Sequence, residues 1–308
     1  MRLRFSGKVA VMVLVSMMLI SGVFGCGEEA EEPTTHITLG SSTFSEPWVL
    51  TEMASILIEE KTDIAVEHTS GFTAEGLMHE ALMEEDLHGY TSWTGTIFTT
   101  LFDMEVTQEW RDREKVLNYV SEEYEKIGGT VMPPFGFNNT YALAVREEFA
   151  QEHDLKTVSD LKEQSGDLVL ACDYDFTERD GDGLTELLEH YDMEFKETEP
   201  MDYGMVYRAV GEGDVDVSVA YSTDGRIEAQ NLVVLEDDKG FFPPYDGIFI
   251  MDQELLDDHP EIEEALEVLW GEIDEETMAD LNAQIDVHER DYEDVAREFL
   301  QEQGLLDD

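Results

Sequence analysis

The feature that most constrains the fold is a regular alternation of short apolar strand-like and helix-like segments from His36 onward. Residues 37–40 and 64–68 are short apolar runs bounded by turn residues, which is typical of strands. Between them, Val49, Met53, Ile56 and Leu57 recur at helical spacing after Ser45, which we expect to cap that helix. Such alternation predicts an α/β protein whose parallel sheets are covered by helices on both faces.

The same pattern continues to the C-terminus. We predict further strands at residues 89–93, 141–145, 168–172, 215–220, 232–235 and 248–251. Further helices are predicted at residues 73–83, 97–102, 108–127, 158–162, 184–191, 203–210 and 254–306, the last with breaks near Asp274 and Val287.

The charge balance narrows the range of partners. The chain has 18 lysines and arginines against 73 aspartates and glutamates, a formal net charge of −55. The acids are spread from Glu28 to Asp308 among well-patterned apolar positions, which favours a folded, salt-adapted surface over a disordered acidic tail. In molar salt the screening length is only about 3 Å, so self-repulsion is largely removed. The same charge disfavours nucleic acid as a partner.

The N-terminal segment resembles a secretory signal. Arg2, Arg4 and Lys8 precede an apolar run over residues 9–24 that is short for a membrane span. Gly25-Cys26 completes a lipoprotein-like cleavage box, so we expect a signal peptide at residues 1–25, a lipid on Cys26 and an acidic tether at 26–36. An uncleaved anchor is the alternative. Both interpretations place the remaining chain outside the cell at the membrane. The other cysteine, Cys172, is expected to be a buried structural thiol.

One strand-to-helix corner suggests a binding site. The predicted strand ends at Trp93 and is followed at once by Thr94-Gly95-Thr96 and an apolar helical run. A helix start offers free backbone N–H groups, which favour anions. An aromatic face beside such groups would suit a small molecule with a cation at one end and a carboxylate at the other.

A set of short motifs resembles one protein family in order and spacing. They are GSSTFSE at 40–46, SGFT at 70–73, WTGT at 93–96, FNNTYAL at 137–143, DYG at 202–204, YSTDGR at 221–226 and PPY at 243–245. Together they resemble the substrate-binding proteins of ABC importers for glycine betaine, choline and related quaternary ammonium solutes.

The resemblance implies a two-lobed periplasmic-binding-protein fold of type II, with the ligand in the cleft between the lobes. The crossover segments would lie near residues 139–141 and 244–247. Lobe 1 would then hold residues 37–139 plus 246–308, and lobe 2 would hold residues 140–245.

The resemblance also implies a box of aromatic rings around the cation, formed here by Trp93, Tyr141, Tyr221 and Tyr245. A quaternary ammonium has no N–H to donate, so aromatic faces suit it better than hydrogen-bonding groups. Each ring would contribute roughly 0.5–2 kcal/mol, depending on desolvation.

At the carboxylate end, the family match points to Thr96 and Arg179. Where the family commonly has lysine, this chain has Ser42, which removes one carboxylate partner and leaves the choice between betaine and choline open. A surface ion pair is the alternative role for Arg179.

Other chemistries have weaker signals. Residues 178–189 imitate a calcium loop, but a turn into the following helix explains them better, because the first position is Glu178 and a strand precedes it. We found no paired-ligand histidine spacing, phosphate loop or nucleophile motif, so neither a metal, a cofactor nor an enzyme is expected. An anchored hydrolase on the same scaffold is the rival class.

The sequence therefore predicts a lipid-anchored, extracytoplasmic, monomeric receptor that delivers a quaternary ammonium osmoprotectant to an ABC permease. Glycine betaine is the expected ligand. A choline-preferring receptor and a ligand-sensing domain without a transporter remain as alternatives.

Overall fold

The computed structural model describes residues 35–306. The predicted signal peptide, the lipidated Cys26 and the tether up to residue 34 lie outside these residues. The first strand begins at Thr35, so the last two residues assigned to the tether belong to the fold. Within residues 35–306, no helix combines the length and the apolar character that crossing a membrane requires.

The strands and helices follow one another along most of the described chain. The strands are β1 (Thr35–Ser42), β2 (Ile64–Phe72), β3 (Gly89–Trp93), β4 (Gly129–Val131), β5 (Tyr141–Arg146), β6 (Val169–Asp173), β7 (Glu197–Met201), β8 (Val217–Tyr221), β9 (Leu232–Leu235) and β10 (Gly247–Asp252). The α-helices are α1 (Ser45–Lys61), α2 (Glu75–Met83), α3 (Thr94–Thr96), α4 (Arg113–Glu125), α5 (Glu147–His153), α6 (Tyr174–Glu178), α7 (Leu184–Tyr191), α8 (Tyr203–Glu212), α9 (Arg226–Ala229), α10 (Gln253–Asp258), α11 (Pro260–Leu266), α12 (Glu275–Asp286) and α13 (Tyr292–Glu302). A π-helical segment at Ile97–Leu101 continues α3, and 3₁₀ turns occur at Gln108–Arg111, Val158–Leu161, Ser165–Asp167 and Glu267–Leu269.

The first sheet has the strand order β2-β1-β3-β10-β4. Its strand β10 is apolar on both faces. Ile248 and Ile250 pack into one hydrophobic cluster, whereas Phe249 and Met251 pack into another on the opposite face. Successive side chains of a strand point to opposite faces, so this sheet is covered on both sides as the alternating pattern predicts.

The second sheet has the order β7-β6-β8-β5-β9 and is also covered on both faces. Leu143 and Val145 of β5 pack into one cluster, and Ala144 between them packs into another. All its strands come from residues 141–235, whereas the first sheet uses residues 35–131 and 247–252. The proposed lobe limits at residues 139/140 and 245/246 stay a prediction.

Two chain segments run side by side between the sheets. Asn138 and Asp246 form an isolated antiparallel bridge. The Asn139 backbone N–H donates to the Tyr245 carbonyl at 3.0 Å, and that of Gly247 donates to the Phe137 carbonyl at 3.2 Å. The chain thus leaves the first sheet and returns to it through one pair of hydrogen-bonded segments.

The prediction of parallel sheets is wrong in part, because both sheets are mixed. β10 is antiparallel to β3 and β4, and β5 is antiparallel to β8 and β9. These reversals occur where the chain enters the second sheet and where it returns to the first. A strand formed after such a crossing has no helical crossover to make it parallel to its neighbour.

Two local predictions are also wrong. Ser45 does not cap α1; Phe44 occupies the cap position, and the Ser45 hydroxyl donates instead to Asp286. The helix predicted over residues 108–127 is interrupted at Asp112, whose side chain accepts from the Lys115 N–H at 3.0 Å and caps α4. Acceptance by a side chain near a helix start is the typical role of aspartate.

Candidate functional site

A cavity of about 360 Å³ lies between the two sheets and brings all seven predicted ligand residues together. It is lined by Ser42, Phe44, Thr73, Ala74, Glu75, Gly76, Met78, Trp93, Thr96, Thr100, Asn139, Tyr141, Asp175, Arg179, Tyr221 and Tyr245. Its volume lies within the range that small-molecule sites usually occupy, roughly 300–1,000 Å³.

Strand register positions two of the aromatic rings. Tyr141 of β5 lies directly opposite Tyr221 of β8 in an antiparallel pair, and directly opposed side chains share one face. Their ring centroids are 4.8 Å apart. The ring of Tyr245 meets that of Tyr141 edge to face, with centroids 5.7 Å apart. Three of the four predicted rings therefore form one contiguous group.

Trp93 joins this group through Phe44, a residue that the sequence analysis did not select. Phe44 stacks on Trp93 with centroids 5.2 Å apart and on Tyr221 with centroids 6.2 Å apart. It follows β1 within the GSSTFSE motif, so its position in a quoted motif was the available signal. We call Phe44, Trp93, Tyr141, Tyr221 and Tyr245 the aromatic lining.

Glycine allows the segment with Tyr245 to lie close to the corner after Trp93. A Cβ atom on Gly95 would lie 2.5 Å from Tyr245 Cδ1 and 2.7 Å from the Pro244 carbonyl. The Thr94 hydroxyl donates to that same carbonyl at 3.1 Å. Thr96, one residue further, is half-buried and lines the cavity.

Trp93 is hydrogen-bonded to a buried carboxylate, that of Glu46, which the sequence analysis did not select. Oε1 of Glu46 accepts from Trp93 Nε1 at 3.0 Å and from Asn139 Nδ2 at 2.8 Å. Its Oε2 accepts from Thr223 Oγ1 at 2.6 Å and from Asn282 Nδ2 at 3.0 Å. Burial raises the pKa of Glu46, and these four hydrogen bonds oppose that shift. Glu46 lies in the first turn of α1, where an acid is expected, so its burial could not be predicted from the sequence.

Arg179 lines the cavity and is already paired. Its guanidinium donates through Nε and Nη2 to the two carboxylate oxygens of Asp182, both at 2.9 Å. The Arg179 side chain is 7% exposed and that of Asp182 is fully buried, so the surface ion pair considered for Arg179 is wrong. The guanidinium carbon also lies 5.2 Å from the centre of the Tyr141 ring, and the Tyr245 hydroxyl donates to Asp182. The ion pair therefore supports two rings of the aromatic lining.

Three polar atoms at the cavity are shielded from solvent and have no hydrogen-bond partner within residues 35–306. They are Ser42 Oγ, Glu75 Oε1 and Asn139 Oδ1. The other carboxylate oxygen of Glu75 accepts from Ser92 Oγ at 2.7 Å. Burial raises the pKa of Glu75 to about 7, against the hydrogen bond from Ser92. Buried polar groups are normally satisfied, so these atoms form a candidate surface for the polar part of a ligand.

The remaining predictions concern metals and the thiol. No group of histidine, cysteine or acidic side chains in the described chain is arranged to hold a metal ion. In the calcium-like segment, Asp182 is paired with Arg179 instead. Cys172 is a free, fully buried thiol whose pKa is raised by burial to about 12, as a structural cysteine requires.

The cavity is lined by aromatic rings and lies between two mixed sheets, beside the pair of crossover segments. This arrangement is that of a two-lobed solute-binding protein. Residues 35–302 match the family described as the substrate-binding domain of the ABC-type glycine betaine transport system, OpuAC. The chain belongs to this family.

Relatives and solved structures agree with that assignment. The carnitine transport binding protein OpuCC of Listeria monocytogenes is 33% identical over 309 residues, covering 100% of this chain and 99% of that protein. A glycine-betaine-binding protein of Pseudomonas aeruginosa is 30% identical and covers 94% of this chain and 93% of its own length. A crystal structure titled glycine betaine/carnitine/choline ABC transporter is 33% identical, with a TM-score of 0.78 over 88% of this chain and 100% of the other. Taken together, the family and these relatives show a substrate-binding protein for glycine betaine, carnitine or choline transport, which acts outside the cytoplasm with an ABC permease.

Proposed function

We propose that this protein captures glycine betaine as its principal ligand and delivers it to an ABC permease, without catalysing a reaction. The observation that supports this most directly is the contiguous aromatic lining of Phe44, Trp93, Tyr141, Tyr221 and Tyr245 around one cavity. Five rings at roughly 0.5–2 kcal/mol each would supply much of the roughly 8 kcal/mol that micromolar binding requires.

The names of the relatives support a trimethylammonium ligand that also has a carboxylate. Carnitine and glycine betaine, for which the Listeria and Pseudomonas proteins are named, both have this form. In the cavity, such a carboxylate could bind Thr96 and the Nη1 group of Arg179, which makes no hydrogen bond to Asp182. Choline is the second candidate, and it is favoured by Ser42 at the position where the family commonly has lysine.

The cellular setting is part of the same proposal. A lipid on Cys26 would hold a monomeric receptor at the outer face of the cell membrane, next to its permease. The net charge of −55 suits a salt-living cell that accumulates compatible solutes. Glycine betaine has no net charge, so this surface neither attracts nor repels it strongly.

Titration calorimetry in molar salt with glycine betaine, carnitine and choline tests the proposal. We expect all three to bind, with glycine betaine tightest near neutral pH. The proposal is wrong if none of them binds. Turnover of a choline ester by the same preparation would instead favour the hydrolase.

A further inference from the structure

Two carboxyl groups line the cavity, and they differ: the Asp175 side chain is 73% exposed, whereas Glu75 has one oxygen that is shielded from solvent and has no partner in the described chain. Glu75 begins α2 and lines the cavity. Its Oε2 accepts from Ser92 Oγ at 2.7 Å, whereas Oε1 is shielded from solvent and accepts nothing from the described chain. A buried oxygen in this state lacks the stabilisation that a donor would give, and a ligand with a hydroxyl group is such a donor.

The two neighbouring atoms without a partner can also accept a hydrogen bond from a ligand. Asn139 Oδ1 is an acceptor, and Ser42 Oγ can both donate and accept. A ligand tail that donates a hydrogen bond therefore finds two acceptors in Glu75 and Asn139. A carboxylate tail finds only the hydroxyl of Ser42 among these three groups.

Charge strengthens this difference. The positive charge of Arg179 is balanced by Asp182, and Asp175 lies 3.8 Å from its remaining Nη1 group. A ligand carboxylate would thus meet a cation that is already neutralised, together with the carboxyl group of Glu75. A hydroxylated cation has no negative charge and avoids this repulsion.

We propose that Glu75 is a specificity-determining residue that recognises the non-cationic end of the ligand. When ionised it favours a hydroxylated cation such as choline, and when neutral it favours a carboxylate-bearing zwitterion such as glycine betaine. This inference depends on the proposed function, because it assigns ligand preference within the same site.

The change in ligand preference is expected near neutral pH, because that is where Glu75 gains or loses its proton. Burial raises its pKa to about 7, and nearby groups modify it from several elements. Ser92 of β3 lowers it through a hydrogen bond, the nearby Tyr90 hydroxyl also lowers it, and Arg179 lowers it through its charge. Tyr124 of α4 faces it as a neutral phenol whose own pKa is raised by burial. His79, one turn along α2, has its pKa lowered by burial.

The two protonation states offer opposite hydrogen-bonding chemistry. A neutral Glu75 can donate a hydrogen bond from Oε1, and the carboxylate of glycine betaine can accept that bond. An ionised Glu75 accepts only, which suits the hydroxyl of choline. The ratio of choline affinity to betaine affinity should therefore increase as the pH rises through about 7.

The test is titration calorimetry of choline and glycine betaine in molar salt, at about one and a half pH units below and above neutrality. In the unchanged protein we expect the affinity ratio to move towards choline by roughly tenfold or more, because each pKa unit separating the two complexes gives a factor of ten. Glu75→Gln, which cannot ionise, should show a constant ratio. Glu80→Gln removes one charge from an exposed position of the same helix and should keep the full pH dependence.

The outcomes separate this inference from the proposed function. If both ligands bind the unchanged protein with a pH-independent ratio, the role of Glu75 is overturned and the quaternary ammonium site stands. A pH-dependent ratio that persists in Glu75→Gln assigns the titration to another group and also overturns it. Absence of binding by every quaternary ammonium ligand overturns both. The comparison in the unchanged protein needs no variant, so a folding defect in Glu75→Gln does not prevent the test.

Discussion

Two carboxyl groups, of Glu46 and Glu75, flank the strand that ends at Trp93, and their surroundings differ. Glu46 accepts four hydrogen bonds, from Trp93, Asn139, Thr223 and Asn282, and both of its oxygens are satisfied. Glu75 accepts one hydrogen bond, and its second oxygen is shielded from solvent and has no partner in the described chain. A saturated carboxylate fixes the position of its donors, whereas an unsaturated one is available to a ligand.

This difference indicates that Glu46 and Glu75 have different roles in binding. Glu46 joins Trp93 to the crossover residue Asn139 and to Thr223, which follows β8 of the second sheet, so it orients Trp93 before a ligand arrives. Such preorganisation reduces the entropic cost of binding. Glu75 contributes little to orientation and is positioned to distinguish one ligand tail from another. Removing each carboxyl group should therefore have a different effect.

The largest effect is expected for Glu46→Gln. An amide nitrogen in place of either oxygen would face two donors, and each unsatisfied buried group costs about 1–3 kcal/mol. We predict that the free energy of unfolding falls by roughly 2–6 kcal/mol, measured by denaturant titration in molar salt. Glu60→Gln, at an exposed position of the same helix with one ion pair to Arg297, should change it by less than about 1 kcal/mol. Equal stability of the two variants would show that the hydrogen bonds of Glu46 do not stabilise the fold.

The next effect concerns the stability of Glu75→Gln as a function of pH. The folded protein raises the pKa of Glu75 from the ordinary 4.5 to about 7. A raised carboxyl pKa stabilises the folded state below the ordinary pKa, and this contribution is lost as the pH rises through about 7. Over that window the unchanged protein should lose up to about 3 kcal/mol relative to Glu75→Gln.

Thermal unfolding of both proteins across this pH range measures the loss. The exposed control Glu80→Gln should keep a constant difference from the unchanged protein. A constant difference for Glu75→Gln as well would mean that Glu75 titrates at its ordinary pKa and is accessible to water.

A smaller effect, on binding alone, is expected for Trp93. Trp93→Ala removes one desolvated ring and should weaken the binding of glycine betaine by roughly tenfold or more. Trp93→Phe keeps an aromatic face but loses the hydrogen bond to Glu46, so its affinity should lie between those of the unchanged protein and Trp93→Ala. Unchanged affinity in Trp93→Ala would remove Trp93 from the site.

The candidate site was largely predictable because its residues lie within short motifs. Ser42, Trp93, Thr96 and the three tyrosines were selected from the sequence, and the structure places all of them around one cavity together with Arg179. Their roles in binding stay predictions.

Residues that act through other residues were not predictable. Glu46 has the appearance of an ordinary acid in a first helical turn, and one more acid is no signal in a chain with 73 of them. Asp182 was assigned to a turn; it lies only three residues from Arg179, but the burial of the pair beside the cavity depends on the tertiary fold. Glu75 was not selected either, since burial and a missing partner become visible only in three dimensions.

The fold shows the same limit. Apolar periodicity predicted most strands and helices, but it has no information on strand direction. β5 and β10 are antiparallel to their neighbours because the chain enters each of them from a crossover segment. Two of the four edge strands, β4 and β7, were missed. β7 (Glu197–Met201) is largely exposed and contains Pro200, so it has no apolar pattern.

In the proposed function, the aromatic lining binds a quaternary ammonium cation. The most direct measurement compares glycine betaine with 3,3-dimethylbutanoate, in which carbon replaces the charged nitrogen and the shape is kept. We predict that glycine betaine binds in molar salt and that the carbon analogue binds at least roughly tenfold more weakly, because it lacks the cation–π attraction. Equal affinity for the two compounds would show that the aromatic lining does not recognise the cation.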